Sequence, residues 1–169
     1  MSRFIEIAPE QWQDNVFDRI GRGWMLVTAG DRDACNTMTA SWGGVGVLWN
    51  KPVAFAFVRP SRYTYEFMER TDAYSLTFPG EEHRAALQLC GSKSGRDLDK
   101  IAAAGLTPLY DEAAPYFEQG EVVLICRKLY VQDIDPANFL DPAIERQYPN
   151  GDYHRVYVGE ITKILKKES

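Results

Sequence analysis

Residues 35–44 read Cys35-Asn36-Thr37-Met38-Thr39-Ala40-Ser41-Trp42-Gly43-Gly44. This stretch concentrates short hydrogen-bonding side chains and glycines between two apolar runs. A polar cluster between strands is usually a turn. On a strand, however, alternation would place the hydroxyls of Thr37, Thr39 and Ser41 on one face. Because a sheet face normally buries apolar groups, a hydroxyl-lined face favours contact with a flat, polar ligand, and a turn is the alternative.

The composition is that of a soluble globular protein. The chain has 169 residues, of which 45% are hydrophobic and 25% are charged, and we expect one domain over residues 1–169. The net charge of -5 disfavours a general nucleic-acid surface. No apolar run approaches the roughly 20 residues that span a bilayer, and the first residues contain no apolar signal core. We therefore expect a cytoplasmic protein that binds neither nucleic acid nor membranes.

The cysteine and histidine content predicts neither a disulfide framework nor a structural metal site. Cys35, Cys90 and Cys126 are far apart in the sequence, and the two histidines are His83 and His154. No Cys-x-x-Cys pair occurs, which disfavours zinc ligation as well as disulfide pairing. We expect each cysteine to be a small buried hydrophobic residue.

Apolar runs separated by turn signals predict several short strands with interspersed helices. Strands are expected at residues 24–29, 36–41, 52–58, 73–78, 121–133 and 153–165, the last two paired and with a bulge at Gly159. Helices are expected at residues 9–19, from Ser61 as N-cap to about 70, at 81–89, and from Asp97 as N-cap through 98–104. Residues 136–148 are polar and irregular, with room for a short helix. The absence of a regular βαβ alternation favours an antiparallel barrel over a doubly wound sheet.

A second polar cluster follows the strand predicted at residues 52–58. It consists of Arg59, Ser61, Arg62, Tyr63 and Thr64, at the end of a strand and the start of a helix. The amides and dipole of a helix N-terminus attract negative charge, and an arginine can bind a phosphate through two hydrogen bonds. The cluster therefore predicts an anion site, and a solvated capping turn is the alternative.

Residues 90–97 form a predicted loop that is rich in small donors, Cys90-Gly91-Ser92-Lys93-Ser94-Gly95-Arg96-Asp97. The loop lacks the Gly-x-x-x-x-Gly-Lys-Ser/Thr spacing of nucleotide triphosphatases, so that class of enzyme is rejected. A flexible surface loop is the alternative to a ligand-binding one.

Four segments in this order resemble the flavin reductase-like family of FMN-binding split barrels, and most closely its flavoredoxin-like branch. Residues 36–43 resemble the isoalloxazine-binding strand of the family, and residues 59–64 resemble its phosphate-binding turn. Residues 90–100, with Lys100 at the end, resemble the next loop, and residues 151–159 resemble the late Gly-Asp-His element. Tyr153 interrupts that last motif, so His154 aligns with the family histidine by its spacing to Gly159.

The resemblance implies a mainly β protein with peripheral helices, built as a six-stranded antiparallel Greek-key split β-barrel. It also implies a homodimer with FMN bound noncovalently near the dimer interface. The cofactor-binding residues that it implies are Asn36, Thr37, Met38, Thr39, Ala40, Ser41, Trp42, Arg59, Ser61, Arg62, Tyr63, Thr64, Cys90, Gly91, Ser94 and Lys100. His154 is expected as the catalytic residue that faces a nicotinamide, and a strand-end histidine bonded to backbone is the alternative.

Two further residues have two interpretations each. Trp42 would shield one face of the flavin or belong to the core, and Cys90 would be redox-active near the flavin or an inert buried thiol.

The function that the resemblance implies is electron transfer through bound flavin. An FMN-dependent oxidoreductase would take hydride from NADH or NADPH and pass electrons to an acceptor, with the redox chemistry supplied by the cofactor. One alternative is a flavoredoxin-like electron carrier that lacks its own nicotinamide site and uses a redox partner protein. Another is a flavin-binding module for storage or sensing, without turnover. Fold similarity alone does not choose among them.

Overall fold

The computed structural model describes residues 3–169. Its strands are β1 (Phe4–Ile7), β2 (Met25–Gly30), β3 (Cys35–Ala40), β4 (Gly43–Leu48), β5 (Lys51–Val58), β6 (Ala73–Pro79), β7 (Pro108–Leu109), β8 (Tyr116–Phe117), β9 (Gly120–Asp133) and β10 (Arg155–Lys167). Its α-helices are α1 (Val16–Asp18), α2 (Tyr63–Arg70), α3 (Arg84–Ser92) and α4 (Lys100–Ala103). Short 3-10 or π turns occupy Pro9–Gln11, Arg19–Gly23, Glu81–His83, Pro136–Asn138 and Pro142–Gln147.

The main sheet has the strand order β3-β2-β6-β9-β10-β5-β4, and β1 pairs with the far end of β10. All of its pairings are antiparallel. The sheet is curled, so that β6 and β5 face each other across its interior. The Tyr74 hydroxyl on β6 donates to the Ala54 carbonyl on β5, 2.9 Å away. The outer strands β3 and β4 do not pair with each other in the described residues. The expected antiparallel split barrel is therefore confirmed, although its sheet has eight strands where six were expected.

Two apolar cores lie on opposite faces of β2. Met25, Val27 and Ala29 face the barrel interior, where they join residues of β3, β5, β6, β9, β10 and α2. Leu26 faces outward and packs against Leu87 of α3. Each fully buried aliphatic side chain contributes roughly 1.5–3 kcal/mol, so α3 is attached to the barrel mainly by this second core.

Gly159 marks a bulge in β10, as the sequence predicts. The pairing register with β9 shifts between Val158 and Gly159. A Cβ placed on Gly159 would lie 2.5 Å from the Tyr74 hydroxyl and 2.9 Å from the Cβ of Cys126. The glycine is therefore required because the Tyr74 ring passes directly over this point of the strand.

The predicted helix over residues 9–19 is wrong. Trp12 has an extended backbone, and Asn15 then caps a new helix by accepting hydrogen bonds from the amides of Phe17 and Asp18. Local side-chain bonds compete with the helix here: Gln11 accepts from the amide of Ala8, and Asp14 accepts from the Trp12 indole, so the apolar spacing does not produce one continuous helix.

Both predicted helix caps are also displaced. The N-cap position of α2 is Arg62, which makes no side-chain capping bond, whereas the hydroxyl of Ser61 donates to the carboxylate of Asp152. In α4 the cap is Asp99, which accepts from the amide of Ala102, and not Asp97.

Strand β4 is not predicted from the sequence, because three glycines in residues 43–48 disfavour a strand. Pairing with β5 along its whole length supplies the backbone hydrogen bonds that keep this segment extended. Residues 136–148 contain short 3-10 helices, in agreement with the expectation for that segment.

Cys90 and Cys126 are buried as expected, whereas Cys35 is only half-buried, 3.8 Å from the Tyr110 hydroxyl. Within residues 3–169, none of the helices combines the length and apolarity that a membrane crossing requires.

Candidate functional site

A cleft of about 190 Å³ opens at the end of β3. It is lined by Met38, Thr39, Ala40, Ser41, Trp42, Phe57, Arg59, Arg62 and His154. Strand pairing brings these distant segments together. β4 pairs with β5 from Gly43 opposite Ala56, and β10 pairs with β5 from Arg155 opposite Val58. Both partners of β5 therefore place their preceding residues, Trp42 and His154, beside the end of β5.

Two arginines give the cleft a positive charge. Arg59 donates to the carbonyls of Gln147 and Asp152 at 2.9 and 3.2 Å, and Arg62 donates to the carbonyl of Cys90 at 3.1 Å. In the part of the chain that the structure describes, neither guanidinium forms an ion pair with a carboxylate. Burial, together with the charge of Arg59, lowers the pKa of Arg62. An anion in the cleft would relieve this repulsion between cations.

A third cation, Lys100, lies behind the cleft. Its ammonium group is buried and donates to the carbonyls of Cys90 and Lys93, each at 3.1 Å. Burial and the neighbouring Arg62 lower the pKa of Lys100 to about 8. The Cys90 carbonyl, which lies in the last turn of α3 and not in the loop predicted for residues 90–97, thus joins Arg62 and Lys100. Burial raises the pKa of that thiol, which agrees with the inert interpretation.

His154 is buried among aromatic rings. Its ring centroid lies 5.3 Å from that of Trp42, 6.3 Å from that of Phe57 and 5.4 Å from that of Tyr148. Its Nδ1 atom is 2.7 Å from the Tyr148 hydroxyl oxygen, so the side-chain partner is a hydroxyl and not the backbone. Burial and the charge of Arg59 lower the pKa of His154 to about 4. The imidazole is therefore neutral at physiological pH.

Of the three hydroxyls expected on one ligand-binding face, two are bonded within the protein, although Thr39 still lines the cleft. Thr37 is fully buried, and its hydroxyl lies 2.9 Å from that of Thr28. The Thr39 hydroxyl donates to the carbonyl of Leu87 at 2.5 Å. The partner of Thr39 belongs to α3, which packs on this face, and the partner of Thr37 belongs to the neighbouring strand β2. Strand periodicity reveals neither contact. The third hydroxyl residue, Ser41, follows β3 and lines the cleft.

A neighbouring groove of about 420 Å³ shares Thr39 and Ser41 with the cleft. Its other lining residues are Trp24, Leu87, Gln88, Gly91 and Ser92. A Cβ on Gly91 would lie 3.3 Å from the Cβ of Thr39, so a larger residue there would crowd the border between groove and cleft. The cleft and the groove together can accommodate a ligand that is longer than either one.

Several predicted binding residues support the site from behind instead of lining it. Asn36 donates to the hydroxyl of Thr64 at 2.8 Å, and both side chains are buried. This bond ties β3 to the first turn of α2. Ser61 is occupied by Asp152, and the hydroxyl of Ser94 accepts from the amide of Arg96.

A separate cleft of about 530 Å³ lies at the opposite end of β3. Asn36, Tyr63 and Lys100 are among its lining residues, together with Cys35 and Tyr110. The structure therefore divides the predicted binding residues between two places. Met38 to Trp42, Arg59, Arg62 and His154 lie together, while Tyr63 faces elsewhere.

Several residues of the site region are not among the predicted binding residues. Phe57, Trp24, Tyr148 and Asp152 contribute to the walls or hold wall residues in place. Two of these had a usable signal: Phe57 lies on β5 two residues before Arg59, and Asp152 belongs to the element that resembles Gly-Asp-His. Trp24 and Tyr148 join the site through tertiary packing.

The open antiparallel sheet and the positively charged cleft at the end of β3 define a split-barrel protein. A family model described as flavin reductase-like domain matches residues 17–169, nearly the whole chain. The protein therefore belongs to the flavin reductase-like domain family. None of the curated proteins matches the chain.

Solved structures agree with this assignment. Flavoredoxin from Methanosarcina acetivorans is 24% identical, with a TM-score of 0.67 over 86% of this chain and 69% of that chain. An FMN-binding domain of a flavin reductases-like enzyme from Shewanella baltica OS155 is 16% identical, with a TM-score of 0.70 over 98% and 78%. Flavoredoxin of Desulfovibrio vulgaris (Miyazaki F) is 21% identical, with a TM-score of 0.65 over 96% and 78%. At these identities the likeness concerns the fold.

Proposed function

We propose that this protein binds FMN noncovalently in the cleft and the adjoining groove, and that it is an oxidoreductase. The observation that carries the proposal is the pair of arginines, Arg59 and Arg62, which line the cleft without a carboxylate partner in the described residues. Cations that are partly buried and bonded only to carbonyls retain donors for a phosphate, because each guanidinium has five N–H groups. The groove beside them, with Trp24 and Leu87 in its wall, suits a ring system.

The residues divide the binding task between charge and shape. Arg59 and Arg62 would hold the phosphate group. Lys100, which donates to the same Cys90 carbonyl as Arg62, would add to the positive potential. The segment from Met38 to Trp42 would contact the ring through its backbone and through Ser41. The hydroxyls of Thr37 and Thr39 are used within the protein, so they position this segment and do not bind the ring directly.

FMN, when bound, would supply the redox chemistry by accepting hydride from NADH or NADPH and giving electrons to an acceptor. Trp42, Phe57 and His154 line one side of the cleft and would cover part of the bound ring. His154 is neutral, so it does not add to the positive charge that the arginines provide. The arginine charge near the cleft would favour the more negative, reduced form of the cofactor.

The test is an anaerobic absorption spectrum of the purified protein, recorded before and after addition of NADH and then NADPH. Flavin bands that bleach on addition of a nicotinamide would establish the reductase and identify the donor. A colourless protein that also fails to bind added FMN would refute the proposal. Arg62→Gln, which removes the cation but keeps a polar side chain of moderate length, is the matched variant for the binding step.

A flavoredoxin-like electron carrier is the second candidate, and the aromatic packing of the cleft favours it. Trp42, Phe57 and Tyr148 surround the His154 ring, with Trp42 and Tyr148 both closer than 5.5 Å between centroids. These rings leave only 7% of His154 exposed, so little of its side chain is open to a nicotinamide. Flavin that bleaches with a chemical donor or a reduced ferredoxin-type protein, but not with nicotinamides, would select the carrier.

We also propose that the chain forms a homodimer through the exposed apolar surface formed by Val47, Trp49, Tyr130 and Val131. Val47 is 80% exposed and Trp49 is 54% exposed, and Trp49 contacts Tyr130 with a centroid distance of 6.1 Å. Trp49 has a positive φ of 51°, an uncommon conformation for a bulky residue that keeps its ring on this surface. Light scattering of the wild type and of Trp49→Lys tests this: a dimer that becomes a monomer supports it, and a wild-type monomer refutes it.

A further inference from the structure

The Tyr148–His154 contact joins a loop to the wall of the cleft. Tyr148 follows the last 3-10 turn between β9 and β10, and His154 directly precedes β10. Both side chains are buried, at 6% and 7% exposure, and their hydroxyl oxygen and Nδ1 atoms are 2.7 Å apart. A hydrogen bond this short between buried groups restricts where the imidazole proton can reside.

The donors and acceptors around His154 identify the imidazole nitrogen that carries the proton. Burial raises the pKa of Tyr148, so its hydroxyl is protonated. The backbone amide of His154 also donates to the hydroxyl oxygen. If the imidazole carried its proton on Nδ1, the phenol proton would have no acceptor in the described part of the chain. Buried polar hydrogens are rarely left without an acceptor. The neutral ring therefore accepts at Nδ1 and carries its proton on Nε2.

Neighbouring groups hold Tyr148 in the geometry that this bond needs. The Arg59 guanidinium lies over the Tyr148 ring, 4.7 Å from its centroid, and donates to the carbonyls of Gln147 and Asp152. Phe139 stacks against the Tyr148 ring at 6.1 Å between centroids and 16° between planes. Arg59 thus links the loop to the cleft, and the phenol has little freedom to turn away from His154.

The other imidazole nitrogen is available to a ligand. His154 lines the cleft, and its Nε2 makes no hydrogen bond within residues 3–169. The charged groups near the ring are Arg59, which disfavours a second proton, and Asp152, which favours one. The balance leaves the ring neutral at pH 7, so it can donate a hydrogen bond but cannot act as a strong acid there.

We propose that Tyr148 is a positioning residue that holds His154 in its Nε2–H tautomer, so that His154 donates a hydrogen bond to a carbonyl oxygen of the heterocycle bound in the cleft. The identity of that heterocycle as a flavin or nicotinamide rests on the proposed function. The tautomer itself does not, because the protein groups impose it before any ligand binds. The role expected from the sequence was only that His154 faces a nicotinamide. The proposed role adds a fixed donor atom, Nε2.

The first experiment measures the tautomer in the apoprotein by NMR with ¹⁵N-labelled histidine. The chain contains two histidines, His83 and His154, so His83→Gln assigns both signals. We expect Nε2 of His154 to be protonated, Nδ1 to be unprotonated, and neither to titrate between pH 6 and pH 8. A proton on Nδ1, or an average of both tautomers in the wild type, would overturn the proposal.

The second experiment removes the phenol. Tyr148→Phe keeps the ring that Phe139 and Arg59 contact, and we expect its His154 nitrogens to show a mixture of tautomers. Tyr153→Phe is the matched control, because the Tyr153 hydroxyl bonds only to the exposed Glu145. It should give the wild-type spectrum. Unchanged nitrogen shifts in Tyr148→Phe would show that the phenol does not set the tautomer.

The third experiment reads out the donor in the holoprotein. We expect Tyr148→Phe to weaken FMN or nicotinamide binding about two- to tenfold, as the loss of one neutral hydrogen bond does, with Tyr153→Phe unchanged. His154→Gln, which retains an N–H donor, should preserve more affinity than His154→Leu. Equal losses in Gln and Leu variants would overturn the donor role. Failure to bind any flavin would instead refute the proposed function, and the apoprotein spectra would still decide the tautomer.

Discussion

Replacing Arg62 by alanine removes one of the two guanidinium groups that line the cleft, and it should weaken FMN binding strongly. In the free protein Arg62 donates a single hydrogen bond, to the carbonyl of Cys90. Its remaining N–H groups are free to bind phosphate oxygens. Hydrogen bonds to a charged group contribute about 1.5–3 kcal/mol, which corresponds to a loss of about 10- to 150-fold in affinity.

The same contacts predict that Arg62→Ala folds normally. The Cys90 carbonyl keeps a donor, because Lys100 also bonds to it at 3.1 Å. Removing Arg62 further relieves the repulsion from Arg59 that lowers the Arg62 pKa. We therefore expect a change of less than about 1 kcal/mol in the free energy of unfolding of the apoprotein.

The assay is titration of apoprotein with FMN, followed by flavin fluorescence or calorimetry at two salt concentrations. Arg70→Ala is the matched control, since it removes the same charge from the exposed end of α2. It should bind FMN like the wild type. If Arg62→Ala and the wild type have the same affinity at low salt, the phosphate does not lie against Arg62, and the assignment of the cleft is refuted.

Three further perturbations test the fold and the electrostatics. Gly159→Ala should destabilise the protein by about 1–3 kcal/mol in urea unfolding, because the new methyl group would overlap the Tyr74 hydroxyl. Asp99→Ala should cost about 0.5–1 kcal/mol by removing the cap of α4, whereas Asp97→Ala should change stability by less than 0.5 kcal/mol. The pKa of His154 is lowered to about 4, so the unfolded chain binds more protons than the folded one between pH 4 and about 6.5. The free energy of unfolding should therefore fall by about 1–2 kcal/mol from pH 7 to pH 5, and His154→Gln should remove this contribution.

Each of these has a control. Gly46→Ala is matched to the strand glycine, because a Cβ on Gly46 would meet nothing within 4 Å. Equal destabilisation by both alanines would contradict the Tyr74 explanation. Equal effects of the two aspartate variants would mean that Asp99 does not cap α4. A pH dependence that is identical in the wild type and in His154→Gln would show that His154 titrates normally.

The shared face of Thr37 and Thr39 was predicted correctly from the sequence, but the partners of their hydroxyls were not. Thr37 and Thr39 do share one face of β3, as alternation predicts, yet that face is covered by α3 and their hydroxyls bond to Thr28 and Leu87. Periodicity reports which side chains share a face. It does not report which element covers that face, because the covering element comes from nearly 50 residues away in the chain.

Local hydrogen-bond competition explains the displaced helix ends. Asp97 and Asp99 are both acceptable caps by residue type. The backbone turn at Ser94, whose carbonyl accepts from the amide of Asp97, delays the helix so that Asp99 becomes the cap. Boundaries of this kind depend on a difference of a few tenths of a kcal/mol between neighbouring turns, which residue preferences do not resolve.

By itself the sequence determined the antiparallel β class, the pairing of the last two long strands, the bulge at Gly159 and the two arginines of the cleft. These follow from local periodicity, from the lack of a side chain at glycine and from charge, which are properties of short segments. Only the tertiary structure decided that Trp42 and His154 flank the end of β5, that Asn36 and Tyr63 lie away from the cleft, and that Tyr148 bonds to His154. Those relations depend on strand register and on loop packing between residues far apart in the chain, and such contacts form only when the whole sheet curls around its core.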